Sequence, residues 1–338
     1  MEDFISSVDE VDWYVPEYKS GNVNRQRWSE RLSRRFLRVP WNPAYRMPPI
    51  EVEYDVFYVQ CMFVWDLAYI GRIPDWSKKI KKSVIYITEL FQTQLDHYPI
   101  LTEVLKRFDL VITAYTGTED ALQKRIGVKT VFCTSGVDAL KSAPDPAKFH
   151  RPVELHSMGR CNKVFFREFQ KLVDQYGWTY IYNTFHLSVL HDYRMHRKYL
   201  SDILKRTLFF EVNPAKFDEE LESKNQHEVG YRYFEGIAAG CVLVGLPNNN
   251  PTFKKIFPWD DILIQLPEVA EDIVPFILDL FNQRERLEHI SRMNSRGALL
   301  YHDFAYRWEF TLKQAGLEPT DTLLRRKEQL SREAEKFL

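Results

Sequence analysis

The sequence is poor in cysteine and has no long apolar run, and both absences narrow the classes of protein it can belong to. Its 338 residues include four cysteines, whose spacing matches no zinc motif and which we expect to be free thiols in a reducing compartment. The most apolar stretch, residues 61–73, is interrupted by Asp66 and Arg72 and is too short to cross a bilayer. Residues 1–10 are acidic and lack an apolar signal core. We therefore expect a cytoplasmic protein with no transmembrane segment.

A dominant charge of one sign is also missing. Lys and Arg together number 46 and Asp and Glu 47, so the formal net charge is −1 and no global field attracts nucleic acid. Hydrophobic residues make up 45% and charged residues 28%, which is typical of a folded globular chain. The length suits two domains better than one. We expect no nucleic-acid partner.

The usual cofactor and metal motifs are absent as well. No GxGxxG follows a predicted strand, which disfavours a dinucleotide enzyme, and there is no HExxH or strand-terminal DxD motif. His186, His191 and His196 are not spaced to share a helical face with a carboxylate. We therefore expect no metal site and no resident cofactor.

What the chain does contain is an alternation of short β-prone runs with longer helical segments. This pattern predicts an α/β protein with parallel sheets covered by helices on both faces. Predicted strands of the first half are residues 55–61, 83–88, 110–114 and 130–133, with 8–15 a further candidate strand and 20–39 a loop or surface helix. Those of the second half are 153–158, 179–182, 208–212, 242–245 and 262–265, with helices at 163–176, 195–206 and 230–239 and mostly helix after Pro267, broken near Gly297 and at 316–319.

Residues 142–152 separate the two halves. They contain three prolines and few large apolar side chains, which is typical of a linker between domains. Two sequential parallel sheets predict two doubly wound, Rossmann-like domains facing a cleft. In such sheets ligands bind beyond the carboxyl ends of the strands, so functional residues are expected there.

The most informative stretch is residues 229–245, a short helix rich in small residues followed by a buried strand. Glu235 lies on this helix near the expected cleft, where its two carboxylate oxygens can accept both hydroxyl hydrogens of a ribose. The alternative is an ion pair with Arg232 at i,i+3, and spacing alone favours that alternative.

A second stretch, residues 155–163, is a strand, a glycine turn and a helix start. The cations Arg160 and Lys163, next to Gly159 and the helix-terminal amides, can bind a phosphate. The alternative is an ordinary loop with solvated charges. A third stretch, residues 131–152, shows by composition only a strand followed by an interdomain turn.

In their order and spacing these three stretches resemble the retaining GT-B glycosyltransferases of the family 4 type. The family has an "Asn-Gly-Val-Asp … Phe … Pro" junction, a "Gly-Arg … Lys" turn and a "Phe-Gly … Glu-Ala-x-Ala-x-Gly" helix. The corresponding residues are Ser135, Gly136, Val137 and Asp138 with Phe149 and Pro152; Gly159, Arg160 and Lys163; and Val229, Gly230 and Glu235 to Gly240. The Arg232 … Phe234-Glu235 version also resembles a bacterial branch related to spore-coat maturation glycosyltransferases.

The resemblance implies both a GT-B fold and a glycosyltransferase function. Residues 1–148 would form the acceptor-side domain, 149–300 the nucleotide-sugar domain, and 301–338 helices that cross back onto the first domain. The implied reaction moves a sugar from a nucleotide diphosphate sugar to a glycan, a lipid-linked sugar or a small molecule, without a metal and with retention. The residues implied in donor binding are Arg160 and Lys163 for the diphosphate, Glu235 for the ribose, with Gly159, Gly230, Glu228 and Arg232 beside them. The base would lie near the loops at Asn213-Pro214 or Phe185-His186.

Two departures from the family pattern bear on the chemistry. His227 occupies the position of the first glutamate of the family's E-x7-E pair, and Glu228 follows it. Residues 1–50 contain no glycine-rich loop. These departures leave two alternatives open, a nucleotide-sugar epimerase or hydrolase of the same fold and a non-catalytic protein of that fold.

Acceptor-side candidates follow the strand 83–88. Glu89 and His97 could face the cleft and touch the acceptor, and histidine is a natural general base near neutral pH, so both are candidate catalytic residues together with His227. The alternative for Glu89 and His97 is a surface loop. The segment 116–118 can present amides to the donor, or Thr116 can form a helix capping box with Glu119.

Overall fold

The computed structural model describes residues 1–15, 17–18, 28, 45–46, 48–71, 73–182 and 193–338, and every structural statement below concerns these residues. The predictions for residues 20–39 other than Trp28, for the Phe185-His186 loop and for His191 lie outside them.

The described strands form one small antiparallel pair and two parallel sheets. In chain order they are β1 Glu17–Tyr18, β2 Tyr45–Arg46, β3 Tyr54–Phe63, β4 Ile80–Glu89, β5 Leu110–Thr113, β6 Thr130–Phe132, β7 Val153–Ser157, β8 Tyr180–Tyr182, β9 Thr207–Glu211, β10 Val242–Gly245 and β11 Ile264–Gln265. β1 pairs with β2, the first parallel sheet has the order β3-β4-β5-β6, and the second has the order β11-β10-β9-β7-β8.

Helices fill the connections between these strands and the C-terminal part of the chain. The α-helices are Glu2–Val8, Leu67–Ile70, Gln92–His97, Pro99–Glu103, Glu119–Ile126, Ala139–Ser142, Lys163–Tyr176, Tyr193–Leu204, Glu220–Ser223, Tyr231–Ala238, Phe253–Ile256, Ala270–Asn282, Arg284–Gly297, Phe304–Ala315 and Asp321–Glu335. A π-helical turn, Ala298–His302, links the helices on either side of it.

The first parallel sheet buries both faces by strict alternation of side chains. Ile85 of β4 packs with Leu122 on the face covered by the connecting helices. Val84 and Tyr86 point to the opposite face, where they pack with Ala315 of the helix Phe304–Ala315. The second face of the N-terminal sheet is therefore covered by a C-terminal helix, as the GT-B resemblance implies.

The second sheet is doubly wound. Numbered within the sheet, its strand order is 2-1-3-4-5, and every pair is parallel. The order reverses between β7 and β9, and that reversal opens a crevice at the carboxyl ends of the two strands. Together the two sheets confirm the α/β prediction. In the second half of the chain, a ligand is expected to bind in the crevice between β7 and β9.

The predicted strands and helices agree with the observed ones within a few residues, with two exceptions. Residues 8–15 are not a strand: Val8 ends the helix Glu2–Val8, and residues 9–15 are irregular. Phe4, Ile5 and Val8 are buried together on one helix face, and Phe4 packs its ring 6.1 Å from Phe304, so tertiary packing selects the helix. The second exception is partial: the α-helix ends at Gly297, near the predicted break, but the π turn Ala298–His302 follows it directly and the chain leaves helix only at Asp303.

The chain crosses between the two halves at two adjacent points. Val137 forms a parallel bridge with Asp303, and Asp303 accepts the N–H of Ala139 at 2.8 Å. Arg326 then donates to both Asp303 and Asp138, at 2.8 and 2.7 Å. This buried network ties the outgoing and returning segments to each other.

No helix in the described ranges combines the length and the apolar character needed to cross a membrane.

Candidate functional site

A buried carboxylate lies at the switch point of the second sheet. Glu211 ends β9 with 4% of its surface exposed. It accepts hydrogen bonds from the Ser157 hydroxyl at 2.5 Å, the Asn162 N–H at 3.0 Å and the Asn213 side chain at 2.8 Å. These bonds hold the loop after β7 against the end of β9, because donors from both segments converge on one buried carboxylate.

The helix that follows this loop is capped by its own sequence. The Asn162 side chain accepts the N–H groups of Val164 and Phe165 at 2.9 and 3.4 Å, and Lys163 is the exposed first residue of the helix. The helix-terminal amides proposed for a phosphate therefore already have a partner. An anion at this loop would meet the side-chain cations first.

Arg160 lies on the same loop and faces acidic residues from the segment after β9. It forms ion pairs with Asp218, at 2.9 Å, and with Glu219, and 43% of its side chain remains exposed. Gly159 has a φ of +84°, and a Cβ placed there would lie 3.9 Å from the Arg232 guanidinium. The turn thus places Arg160 and Arg232 on the same rim of the crevice.

Arg232 is paired with Glu235. The nitrogen–oxygen distance is 2.5 Å at the i,i+3 spacing, and 31% and 28% of the two side chains are exposed. This is the ion pair that the spacing favoured. The pair uses one oxygen of Glu235 and leaves part of both side chains exposed.

Glu89, at the end of β4 in the first sheet, lies near charged residues that follow strands of the second sheet. It is the last residue of β4, partly buried, and burial raises the pKa of its carboxyl while the positive charges of Lys216 and then Arg160 oppose that rise. Lys216 follows β9, is 14% exposed and pairs with Glu219 at 3.5 Å and with Glu222. Groups from the carboxyl ends of both sheets therefore act on each other across the cleft.

Sequence reasoning missed Lys216 and Tyr231 in this cleft. Tyr231 is the first residue of the helix Tyr231–Ala238, and burial raises the pKa of its hydroxyl to about 12. The sequence feature that could have identified Tyr231 is its position directly after Gly230. Lys216 follows the Asn213-Pro214 segment, but only the fold brings it beside Glu89.

Glu228 joins the two halves. It is 1% exposed, and its oxygens accept the backbone N–H groups of Thr116 and Gly117 at 3.2 and 2.9 Å. Asn250 and Gln226 add side-chain N–H bonds at 3.0 and 2.8 Å. The buried carboxylate of Glu228 thus accepts four N–H groups, two of them from the first half of the chain. These contacts hold the two domains together.

The same contacts correct the capping prediction for residues 116–119. Thr116 does not cap the helix Glu119–Ile126, because a 3-10 turn, Thr116–Thr118, precedes that helix. Glu119 accepts the Phe132 N–H at 3.0 Å instead of reaching back to the turn. The amides of Thr116 and Gly117 are bound by Glu228 in this structure.

The two candidate histidines lie in different surroundings. His227 is partly buried next to Glu228; its carbonyl accepts the Asn250 side chain at 2.8 Å, and its buried Nδ1 has no hydrogen-bond partner in the described chain. His97 is exposed at the end of the helix Gln92–His97 with its ring 6.2 Å from that of Tyr98. Both catalytic assignments stay predictions. Within the described ranges no three His, Cys, Asp or Glu residues group as metal ligands.

Comparison with known proteins gives structural likenesses only. No protein-family model and no curated protein matches the chain. Among solved structures it is similar to an alpha-glucosyltransferase in complex with UDP-glucose and DNA containing an abasic site, at 11% identity over 78% of this chain and 80% of that one, with a TM-score of 0.48.

Two further structures are similar to a comparable extent. A UDP-forming trehalose-phosphate synthase from Burkholderia xenovorans has 10% identity over 78% of this chain and 73% of that one, with a TM-score of 0.48. Anabaena HepE in complex with UDP-glucose has 10% identity over 83% and 79%, with a TM-score of 0.47. Since these TM-scores lie below 0.5, we take the function from contacts within this chain.

Proposed function

We propose that this protein is a GT-B glycosyltransferase that moves a sugar from a nucleotide diphosphate sugar to an acceptor. The observation that carries the proposal is the convergence of Arg160, from the switch-point loop of one sheet, and Glu89, from the strand end of the other. Crevices of this kind, at the carboxyl ends of parallel strands, are where doubly wound sheets bind nucleotides. We retain residues 1–148, 149–300 and 301–338 as the two domains and the returning helices.

Donor binding falls to the second domain in this proposal. Arg160 and Lys163 hold the diphosphate, with Arg232 beside Gly159 as a third cation. The carboxylates now on Arg160 are themselves partly exposed, 47% for Asp218 and 34% for Glu219. Exposed ion pairs contribute roughly 0–1 kcal/mol, so a diphosphate with more charge can displace them at little cost.

Glu235 completes the donor site as the ribose contact. Arg232 binds one of its oxygens and fixes the carboxylate on the helix Tyr231–Ala238, next to Gly230. The other oxygen can accept hydroxyl hydrogens of the ribose. The ion pair and the ribose contact are therefore compatible rather than alternatives.

The sugar transfer itself separates charge, and the cleft has groups to stabilise it. As the glycosidic bond to the donor phosphate breaks, negative charge grows on the departing diphosphate and Arg160 and Lys163 stabilise it without a metal. The raised pKa of Glu89 suits a group that takes the acceptor's proton near neutral pH. Retention of configuration and a sugar contact from His227 are parts of the proposal that come from the resemblance, whereas the role of His97 comes from its position after the strand Ile80–Glu89.

A non-catalytic binding protein is the second candidate, and one observation favours it. The cleft cations Arg160, Lys216 and Arg232 all have carboxylate partners within the protein. A protein that never binds a diphosphate would keep those pairs permanently.

Release of nucleoside diphosphate from a panel of UDP-, GDP-, dTDP- and ADP-linked sugars tests the proposal, with release of CMP from CMP-linked sugars measured beside it. We expect release with one base, stimulated by an acceptor extract, and a loss of at least tenfold in Glu89→Gln and Arg160→Ala. Release that needs no acceptor would indicate a hydrolase or epimerase. No release with any donor would indicate the non-catalytic protein, and a nucleotide-binding assay would then show whether its cleft cations stay with their carboxylate partners.

A further inference from the structure

A second concave surface lies away from the cleft, between the N-terminal helix and the last helix. It is a depression of about 330 Å³ lined by Ser7 and Val8 of one helix and by Thr322, Arg325, Gln329 and Arg332 of the other, with Arg326 beside them. Four of these residues recur at three- or four-residue intervals along the helix Asp321–Glu335. Residues at that spacing share one face, so their polar groups line the depression together.

This face carries two arginines and one nearby acid, Glu328, which is three residues after Arg325 and four before Arg332. Arg325 and Arg332 are exposed and, across the part of the chain that the structure describes, neither forms an ion pair. Arg325 donates to the Thr322 hydroxyl at 3.1 Å, which leaves the hydroxyl hydrogen of Thr322 available to a ligand. Two exposed arginines on another helix, Arg286 and Arg292, pair with Asp261 and Glu288 at 2.9 and 2.8 Å and serve as a comparison.

The walls of the depression are held by the protein core rather than by a ligand. Val8, Leu323 and Leu330 are buried in the same hydrophobic cluster. The Thr320 hydroxyl donates to the Val8 carbonyl at 2.7 Å and fixes the two helices at that end. Arg326 is satisfied by Asp138 and Asp303, so the cations free to bind are those at the rim. A site whose frame exists before binding loses little entropy when a ligand arrives.

We propose that this depression binds a diphosphate-type anion at a site separate from the cleft. Arg325 and Arg332 are seven residues apart, or roughly 10 Å along the helix axis at 1.5 Å per residue. Two flexible guanidinium groups at that separation can close on the two ends of a diphosphate, with Gln329 and Thr322 donating between them. A guanidinium offers paired donors that match phosphate oxygens, which makes a phosphate-bearing ligand fit better than a single carboxylate. The same chemistry is available from a free diphosphate or from an anionic phospholipid headgroup.

Calorimetric titration with inorganic pyrophosphate at constant ionic strength tests the site. All proteins in the titration carry Arg160→Gln and Lys163→Gln, so that binding in the cleft is weakened to the same extent in every protein compared. We expect R325Q/R332Q to weaken pyrophosphate binding by at least tenfold, and R325K/R332K to weaken it less, because lysine keeps the charge but loses the paired donors. The control R286Q/R292Q removes the same charge from another helix and should leave the affinity within about twofold.

A parallel sedimentation assay separates the two sources of the ligand. Vesicles of phosphatidylglycerol are compared with vesicles of phosphatidylcholine, again with and without R325Q/R332Q. Arginine-dependent binding of pyrophosphate supports a free ligand, and arginine-dependent binding of phosphatidylglycerol vesicles alone supports a headgroup. Binding that is absent in both assays, or is reduced as much by R286Q/R292Q, overturns the proposal. Because both arginines are exposed, unchanged unfolding midpoints without ligand should show that the variants are folded.

Discussion

The carboxylate of Glu228 accepts the backbone N–H of Gly117 at 2.9 Å, across 111 residues of chain. Glu228 belongs to the second half of the molecule and Gly117 to the loop after β5 in the first. With the bond to Thr116, this contact sets how closely the two strand-end surfaces approach each other, and so the width of the cleft between Glu89 and Arg160.

Glu228→Ala should therefore destabilise the protein more than the loss of an exposed carboxylate does. Four N–H donors lose their acceptor, and unsatisfied buried donors cost about 1–3 kcal/mol each with little additivity, so we expect a loss of about 3 kcal/mol. Urea unfolding measures it. Glu235→Ala, which breaks the partly exposed pair with Arg232, should cost less than about 1 kcal/mol. Equal losses in the two variants would contradict the role of Glu228.

Asp218→Asn combined with Glu219→Gln should strengthen nucleoside diphosphate binding. Both carboxylates now pair with Arg160, and neutral replacements leave its guanidinium free for the ligand. An exposed ion pair is worth up to about 1 kcal/mol, so the dissociation constant should fall by roughly three- to tenfold. Titration calorimetry with the preferred nucleotide measures it, and Glu333→Gln, which frees Lys336 on the last helix, is the control. Weaker binding in the double variant would mean that these acids contact the ligand themselves.

The raised pKa of Glu89 predicts that the free energy of unfolding depends on pH. Burial raises its pKa above the ordinary 4.5, so in the window between those two values the folded protein holds a proton that the unfolded chain has lost. Stability therefore falls as the pH rises through that window and stays lower above it. Glu89→Gln removes this fall, so the variant should gain stability over wild type at pH 7 relative to pH 4. Unfolding curves at both pH values test it against Glu53→Gln, an exposed carboxylate. A gain of the same size in Glu53→Gln would show that a general charge effect is responsible.

Gly236 tests the close packing of the helix that holds Glu235. A Cβ there would lie 2.5 Å from the Leu243 side chain and 2.8 Å from that of Phe210, and both neighbours are fully buried. Gly236→Ala should cost about 1–3 kcal/mol despite alanine's better helix propensity. At Gly230 the nearest atom to a Cβ is 4.0 Å away, so Gly230→Ala should cost only the roughly 0.5–1 kcal/mol of placing alanine at a helix N-cap. Thermal unfolding of the two variants makes the comparison.

Local signals explain why much of the fold was predictable from the sequence. The helix Lys163–Tyr176 has its predicted bounds because Asn162 caps its start and Gly177, at a φ of 68°, ends it. The strands of both sheets were visible as apolar runs because parallel strands are buried on both faces. The strand prediction for residues 8–15 was wrong because Phe4, Ile5 and Val8 bury a helix face against a partner about 300 residues away.

The site was only partly predictable for the same reason. The Arg232–Glu235 pair follows from i,i+3 spacing, and the Gly159 turn follows from its place between a strand and a helix. The partners of Glu228, and the approach of Lys216 to Glu89, depend on how two domains meet. No pattern within one segment contains that information, so a carboxylate predicted to bind a ligand proved to bind the neighbouring domain.

The most direct test of the donor site is thermal unfolding of wild type and Arg160→Ala/Glu235→Ala against UDP, GDP, dTDP, ADP and CMP with their sugars. At a ligand concentration 100-fold above the dissociation constant, binding should stabilise wild type by about 2.7 kcal/mol. We predict a shift with one nucleotide family in wild type and little or none in the double variant. An equal shift in both proteins, or none with any nucleotide, would contradict nucleotide-sugar binding in this cleft.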